Sequence, residues 1–213
     1  MERLIAGYRK FREEVYPERV QQFAKLERGQ APRVLFITCA DSRITPELLF
    51  QAEPGELFIC RNAGNIVPAH GDHTGGVSAT VEYAVRALKV TDIVVCGHSD
   101  CGVMRGLLHP EKVAKMKSVA DWLGYGERAR AVVEHVCEHM DEEEKVMELA
   151  RQNVLAQLDN LRTHPAVAAA MAGKTLSIHG WILQLHTGKV DAWSADSEQF
   201  APLEQVYETV GSR

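Results

Sequence analysis

The chain has 213 residues, 46% of them apolar and 25% charged, and 24 Lys+Arg against 29 Asp+Glu give a formal charge of −5. A chain of this size buries on the order of 70% of its unfolded surface without staples, so a metal here serves chemistry before it serves folding. The mildly acidic balance, with no run of Lys or Arg, argues against a nucleic-acid partner, and no stretch approaches the ~20 apolar residues of a membrane span.

From Leu4 to Leu26 the residues Leu4, Ile5, Tyr8, Phe11, Val15, Val20, Phe23 and Leu26 fall near helical spacing, interrupted at Pro17. This reads as an amphipathic helical arm broken once. Arg33–Cys39 is a short β-branched and aromatic run, predicted to be a buried strand that delivers Cys39-Ala40-Asp41-Ser42-Arg43 at its carboxyl end. A helix begun by Pro46 and a turn at Pro54-Gly55 lead to a second buried strand, Leu57–Arg61, which runs into Asn62-Ala63-Gly64-Asn65. Gly75-Gly76 opens a helix through Val81, Ala84, Val85 and Leu88.

The third buried strand, Asp92–Gly97, ends on His98-Ser99-Asp100-Cys101-Gly102. Strand, helix, strand, helix, strand implies parallel pairing with right-handed crossovers. Val113 to Leu161 reads as helical, with the acids Asp141 to Glu144 suited to a helix N-terminus and a core stripe Val146, Leu149, Val154, Leu158, Leu161. Thr175–Leu183, the turn at Thr187-Gly188 and Val190–Trp193 add a strand and an antiparallel edge hairpin. The expected fold is α/β, with a mostly parallel central sheet, flanking helices, an antiparallel edge strand and an N-terminal helical arm, in a single domain over 1–213.

Two loops therefore stand at the carboxyl ends of strands, where open α/β sheets place their sites. One offers Cys39 and Asp41, the other His98 and Cys101. His-x-x-Cys lets both side chains reach one ion, and Cys39 completes a Cys2His set with one tetrahedral position to spare. Structural zinc sites are usually closed by four protein ligands, whereas three leave room for water or substrate, and sulfur with imidazole selects zinc over Mg or Ca. If Arg43 holds Asp41 in a bidentate pair, the carboxylate is drawn from the metal and can accept a hydrogen bond from a zinc-bound hydroxide. Taken singly, each cysteine reads as a small buried hydrophobe and His98 as a helix cap. The four together, beside an arginine, favour the metal site.

Cys39-x-Asp41-x-Arg43 followed by His98-x-x-Cys101 resembles the β-class carbonic anhydrases. Pro54-Gly55-Glu56, Arg61-Asn62-Ala63-Gly64-Asn65, Glu82-Tyr83-Ala84 and His179-Gly180-Trp181 extend the resemblance over roughly residues 1–200, and it is greatest to the bacterial branch that includes the anhydrases of cyanate operons. The resemblance implies one Zn2+ per chain on Cys39, His98 and Cys101. It implies reversible hydration of CO2 to bicarbonate and a proton by zinc-bound hydroxide, with Asp41 and Arg43 as a catalytic dyad. It further implies a dimerisation arm over 1–29 and a zinc-binding core over 30–213, in a homodimer or dimer of dimers with the site at the subunit interface. Gln30 would then hydrogen-bond substrate, Phe58 and Tyr83 would wall a narrow CO2 pocket beside Ala63, and Gly102 would offer bicarbonate a backbone N–H. Members inhibited by a second bicarbonate carry Trp and Tyr where this chain has Phe36 and Leu183, so of that anion pocket only Arg61 is expected to persist.

Two other readings stand beside this one. The same site could hydrolyse a CO2-like molecule such as CS2 or COS, or the zinc could be structural in a binding protein. His135-Val136-Cys137-Glu138-His139 matches His-x-x-Glu-His, but its charged neighbours read as a solvated helix face or loop. Cys60 and Cys96 are assigned to the core, and Cys137 has no assigned role. His70, His73, His109, His164 and His186 read as surface or capping residues. The odd cysteine count in a chain that needs no disulfide frame fits a reducing compartment, and with no apolar span a cytoplasmic location is expected.

Overall fold

A computed structural model describes residues 1–71 and 75–208, and the chain divides into two compact units, Met1–Ala31 and Pro32–Arg213. The first unit is two helices, α1 (Glu2–Lys10) and α2 (Tyr16–Leu26), joined by a π-helical turn over Phe11–Val15. Pro17 has no N–H to give the carbonyl four residues back. The ladder widens just before it, and the Tyr16 N–H reaches the Phe11 carbonyl. Phe11, Tyr16 and Phe23 pack together with ring centroids 5.4–6.0 Å apart. No residue of either helix is buried, and Leu4, Tyr8 and Val20 of the expected apolar stripe lie open.

The second unit is built on a six-stranded sheet of order β2-β1-β3-β4-β5-β6. The strands are β1 (Val34–Cys39), β2 (Leu57–Asn62), β3 (Asp92–His98), β4 (Ser177–Leu183), β5 (Val190–Ser194) and β6 (Gln199–Pro202). The first four in spatial order are parallel, and β5 and β6 are antiparallel. This is the expected α/β architecture with its antiparallel edge; β6 is an addition. The helices are α3 (Pro46–Leu49), α4 (Gly76–Tyr83), α5 (Gly102–Leu108), α6 (Pro110–Val113), α7 (Lys117–Leu123), α8 (Glu127–Val136), α9 (Glu142–Thr163), α10 (Pro165–Ala172) and α11 (Leu203–Glu208).

Strand alternation divides the core in two. Leu35, Ile37, Ile93, Val95 and Ile182 face a large cluster beneath the helices, while Phe36, Val94, Cys96 and Leu183 face a small cluster with Ile44. The long helix α9 covers the large side with Val146, Leu149, Val154, Leu158 and Leu161, the expected stripe. Full burial of one such side chain stabilises by ~1.5–3 kcal/mol. The helix lies close to β3 and β4 because both present glycine: a Cβ on Gly180 would stand 2.8 Å from Val154 Cγ1, and one on Gly97 3.0 Å from Val154 Cγ2. At its start Asp141 accepts from the Glu144 N–H at 2.9 Å and Glu144 accepts from the Asp141 N–H at 3.1 Å. That reciprocal cap is what the acidic cluster does.

The structure corrects three expectations. The strand β2, expected to be buried, is the edge of the sheet and buries only Cys60. Val113–Leu161 is several helices, because Gly124-Tyr125-Gly126 tightens into a 3-10 turn and α8 ends at Val136, glycine being a poor helix former. His164, expected to be a surface or capping residue, does hold the cap position between α9 and α10, but it is buried, 3% exposed, with Nε2 3.0 Å from the Pro68 carbonyl. His73 lies outside the described residues.

Candidate metal centre

Cys39 closes β1 and His98 closes the adjacent parallel strand β3, so their loops emerge side by side. Cys101 follows at the N-cap of α5. The donor atoms of Cys39, His98 and Cys101 lie within 4.8 Å of one another, all three residues are buried, and among the described residues no other such group of three occurs. The two sulfurs are 4.0 Å apart, near the ~3.8 Å that two 2.3 Å zinc–sulfur bonds at a tetrahedral angle require. His98 Nδ1 lies 2.9 Å from the Ser99 carbonyl, which fixes the proton on Nδ1. Nε2 is left buried with no hydrogen-bond partner, its lone pair facing the sulfurs. An orphaned buried nitrogen between two thiols is costly unless a cation takes its lone pair. The residues fit a zinc ion.

The thiols are set against each other. Cys39 is pulled well below the usual thiol range by its hydrogen bond with Cys101, with smaller contributions from His98 and from the Gly64 N–H, which outweigh its burial. Cys101 is pushed up by the same bond, by burial and by the charge on Cys39. One thiolate and one thiol share a proton that a divalent cation would displace.

Asp41 and Arg43 occupy the turn after β1. Arg43 Nε donates to Asp41 Oδ1 at 2.9 Å and Nη2 to Oδ2 at 2.8 Å, a bidentate pair. These bonds, followed by the Arg43 backbone N–H, hold the Asp41 carboxyl far below the ordinary carboxylate range. Asp41 Oδ2 lies 3.9 Å from His98 Nε2, so the carboxylate borders the cluster while tied to the arginine.

A second layer fixes the loops, and its members on α9, Asn153 and Gln157, carry no expectation from the sequence. Arg61 donates from Nε to the Cys39 carbonyl at 3.1 Å and from Nη2 to the Asp41 carbonyl at 2.6 Å. Gly64, at φ +81°, directs its N–H to Cys39 Sγ at 3.4 Å. Its loop is pinned from α9: Asn153 Nδ2 donates to the Gly64 carbonyl, Gln157 Oε1 accepts from the Val67 N–H, and Gln157 Nε2 ties back to Asn153. Asn and Gln four residues apart inside an otherwise apolar stripe were the available signal.

The remaining candidates divide. Ala63 and Gly102 adjoin the centre, Ala63 through the loop that Trp122 Nε1 holds by the Ala63 carbonyl and Gly102 as the first residue of α5. Phe58 and Tyr83 pair with each other at 6.0 Å, but Phe58 sits opposite Leu35 while Asn62 sits opposite Cys39. At ~3.3 Å per residue that is about 13 Å down the strand, so one chain does not bring the pair to its own cluster. Gln30 is exposed in the other unit. His135 and His139 are not on one helix, since α8 ends between them. Cys60, Cys96 and Cys137 are buried in the core.

A mostly parallel α/β sheet carrying a buried Cys2His donor set at neighbouring strand ends defines a class of protein whose site could hold zinc. Residues 34–190 match the carbonic anhydrase family model. The chain is 50% identical to the carbonic anhydrase of Pseudomonas aeruginosa over 95% of this chain and 92% of that one, and 47% identical to carbonic anhydrase 1 of Escherichia coli O157:H7 over the same shares. Among solved structures it resembles the β-carbonic anhydrase CcaA, with a TM-score of 0.93 and 42% identity over 95% of this chain and 98% of that one. It also resembles a chain from the structures of two tetrameric β-carbonic anhydrases of Sordaria macrospora, with a TM-score of 0.73 and 32% identity over 91% of this chain and 93% of that one. The chain belongs to the β-carbonic anhydrase family, and CO2 hydration is the activity that membership supports.

Proposed function

We propose that this chain hydrates CO2 reversibly with one zinc ion held by Cys39, His98 and Cys101, and that Asp41 and Arg43 act there as a dyad. The observation that carries the reading is that Asp41 borders the donor cluster yet is held by Arg43, which leaves three protein ligands and one position free. Zinc in such a site supplies a Lewis acid that acidifies a coordinated water to ~7 in favourable cases. Asp41, ionised and acceptor-only, orients a hydroxyl donor beside His98 Nε2. Arg43 keeps the proton off that carboxylate, and the Ser99 carbonyl keeps the His98 lone pair on Nε2. The Gly102 N–H binds bicarbonate oxygen.

Phe58, Tyr83 and Gln30 are assigned to the CO2 pocket across a subunit interface, because one chain leaves the aromatic pair far from its own cluster. The arm over 1–29 is assigned to dimerisation, on the apolar stripe that α1 and α2 leave exposed, and the core to 30–213. The tetrameric relatives support a dimer or dimer of dimers. Five free thiols support a reducing, cytoplasmic setting, and among the described residues no helix is long and apolar enough to cross a membrane. Within the family, the branch that includes the cyanate-operon anhydrases remains our assignment. Phe36 packs against Phe50 and Trp181, and Leu183 is buried, which supports the absence of a second bicarbonate pocket. Stopped-flow CO2 hydration with metal analysis tests the reading: about one zinc per chain and loss of both metal and rate in Cys101→Ser are expected. Active protein without zinc overturns it.

A further inference from the structure

Arg43 is held along two edges, and Asp41 occupies only one of them. On the other, Arg43 Nη1 donates to Asp100 Oδ2 at 3.0 Å and Nη2 donates to the Asp100 carbonyl at 3.0 Å. The second carboxylate oxygen, Asp100 Oδ1, accepts from Arg105 Nε at 3.1 Å and Nη2 at 2.9 Å. Arg105 Nη1 in turn donates to Glu142 Oε1 at 3.2 Å, on the first turn of α9. Opposite charges thus alternate from the cluster to the long helix: Asp41, Arg43, Asp100, Arg105, Glu142.

The arrangement answers a mechanical need. The Arg43 side chain is 47% exposed and rotamer-rich, and a planar guanidinium fastened along one edge still pivots about that edge. Bonds along a second edge remove the pivot and fix the plane in which Asp41 must lie. Asp41 has two places to go, the arginine or the cluster, whose His98 Nε2 is 3.9 Å away. Loosening the arginine therefore shifts the carboxylate toward the cluster.

We propose that Asp100 is a positioning residue: by holding the second edge of the Arg43 guanidinium, it keeps the Asp41 carboxylate on the arginine and off an ion bound by Cys39, His98 and Cys101. This rests on the carbonic anhydrase reading of that cluster. Asp100 lies at φ +52°, a left-handed conformation that Asn and Gly also tolerate. Asp100→Asn and Asp100→Gly therefore remove the carboxylate without forcing the backbone.

The test is azide binding to the cobalt(II)-substituted protein, followed by its visible spectrum. Azide competes with Asp41 for the free position, so its apparent affinity falls with the fraction of sites in which Asp41 has left Arg43. Losing an exposed ion pair of this kind shifts the Asp41 equilibrium by about two- to five-fold, which is the ceiling on the loss of azide affinity. Both variants are expected to bind azide more weakly, by up to about two- to five-fold. In an Asp41→Asn background, where no carboxylate competes, neither is expected to change azide binding. Unchanged affinity in the single variants, or an equal loss in the Asp41→Asn background, overturns the proposal and leaves the carbonic anhydrase reading standing. If the cobalt protein with no substitution takes no azide, the carbonic anhydrase reading falls and the proposal falls with it.

Discussion

Arg43 grips Asp41 through two parallel hydrogen bonds of 2.9 and 2.8 Å, and the gripped carboxylate stands 3.9 Å from the unpartnered nitrogen of His98. A permanent cation beside an acid bordering a metal-ligand cluster decides two things, the protonation of the acid and the place where it points.

The pH dependence follows from the first. The Asp41 carboxyl is depressed by the Arg43 side chain and then by the Arg43 N–H. A depressed carboxyl contributes stability that is present above its unfolded value of ~3.9 and is lost as pH falls through the folded value. The contribution is about 1 kcal/mol or less, because Arg43 is half in solvent. The urea midpoints of the parent and Asp41→Asn proteins should differ by a constant amount from pH 5 to 8 and converge below about pH 4. A gap that stays constant to pH 3 would contradict the pairing.

The five cysteines should react in a fixed order. Burial pushes the Cys96 thiol up to about 12 and raises Cys60 and Cys137 as well. Only thiolates alkylate readily. Iodoacetamide at pH 8 should therefore leave the zinc-loaded protein almost unmodified, and a chelator should expose Cys39 first. Peptide mass mapping reads the order, and early labelling of Cys96 would refute it.

Gly64→Ala should damage fold and centre together. The residue sits at φ +81°, and an added Cβ would come within 2.7 Å of Val103 Cγ1. The expected loss is about 1–3 kcal/mol from overpacking and strain. Zinc affinity should fall too, since the Gly64 N–H points at Cys39 Sγ. Thermal unfolding and a competitive zinc titration measure the two effects separately.

Gln157→Leu removes the acceptor of the buried Val67 N–H while keeping the size of the side chain. Leaving that donor unsatisfied should cost about 1–3 kcal/mol, and the loop over Asn62–Val67 should gain hydrogen exchange before the sheet does. Uniform exchange across both would contradict the pin.

The arm offers a test of assembly. Leu4 and Tyr8 present an exposed apolar stripe on α1, and stripes of that kind mark contact with another surface. Leu4→Asp with Tyr8→Asp should shift the mass measured by light scattering toward the monomer and lower CO2 hydration at least ten-fold. Full activity in a monomer would remove the arm and Gln30 from the site.

Much of this protein was already legible in its residues. β1 and β3 are short runs of β-branched and aromatic residues, apolar on both faces as central parallel strands must be, and their ends carry Cys39-x-Asp41-x-Arg43 and His98-x-x-Cys101. Local sequence sets these because a strand's burial and the loop that follows it are properties of a few neighbouring residues. Tertiary structure alone decided which distant groups hold them in place. Asn153 and Gln157 gain meaning only when α9 lies over the Gly64 loop. Asp100 matters only when Arg43, 57 residues earlier, folds onto it. Phe58 and Tyr83 prove remote from Cys39 because register, a pairing between strands, sets the level at which each side chain stands. Hydrophobic pattern specifies where the chain is buried, whereas polar contacts between separated segments form only once packing has brought their partners within hydrogen-bond reach.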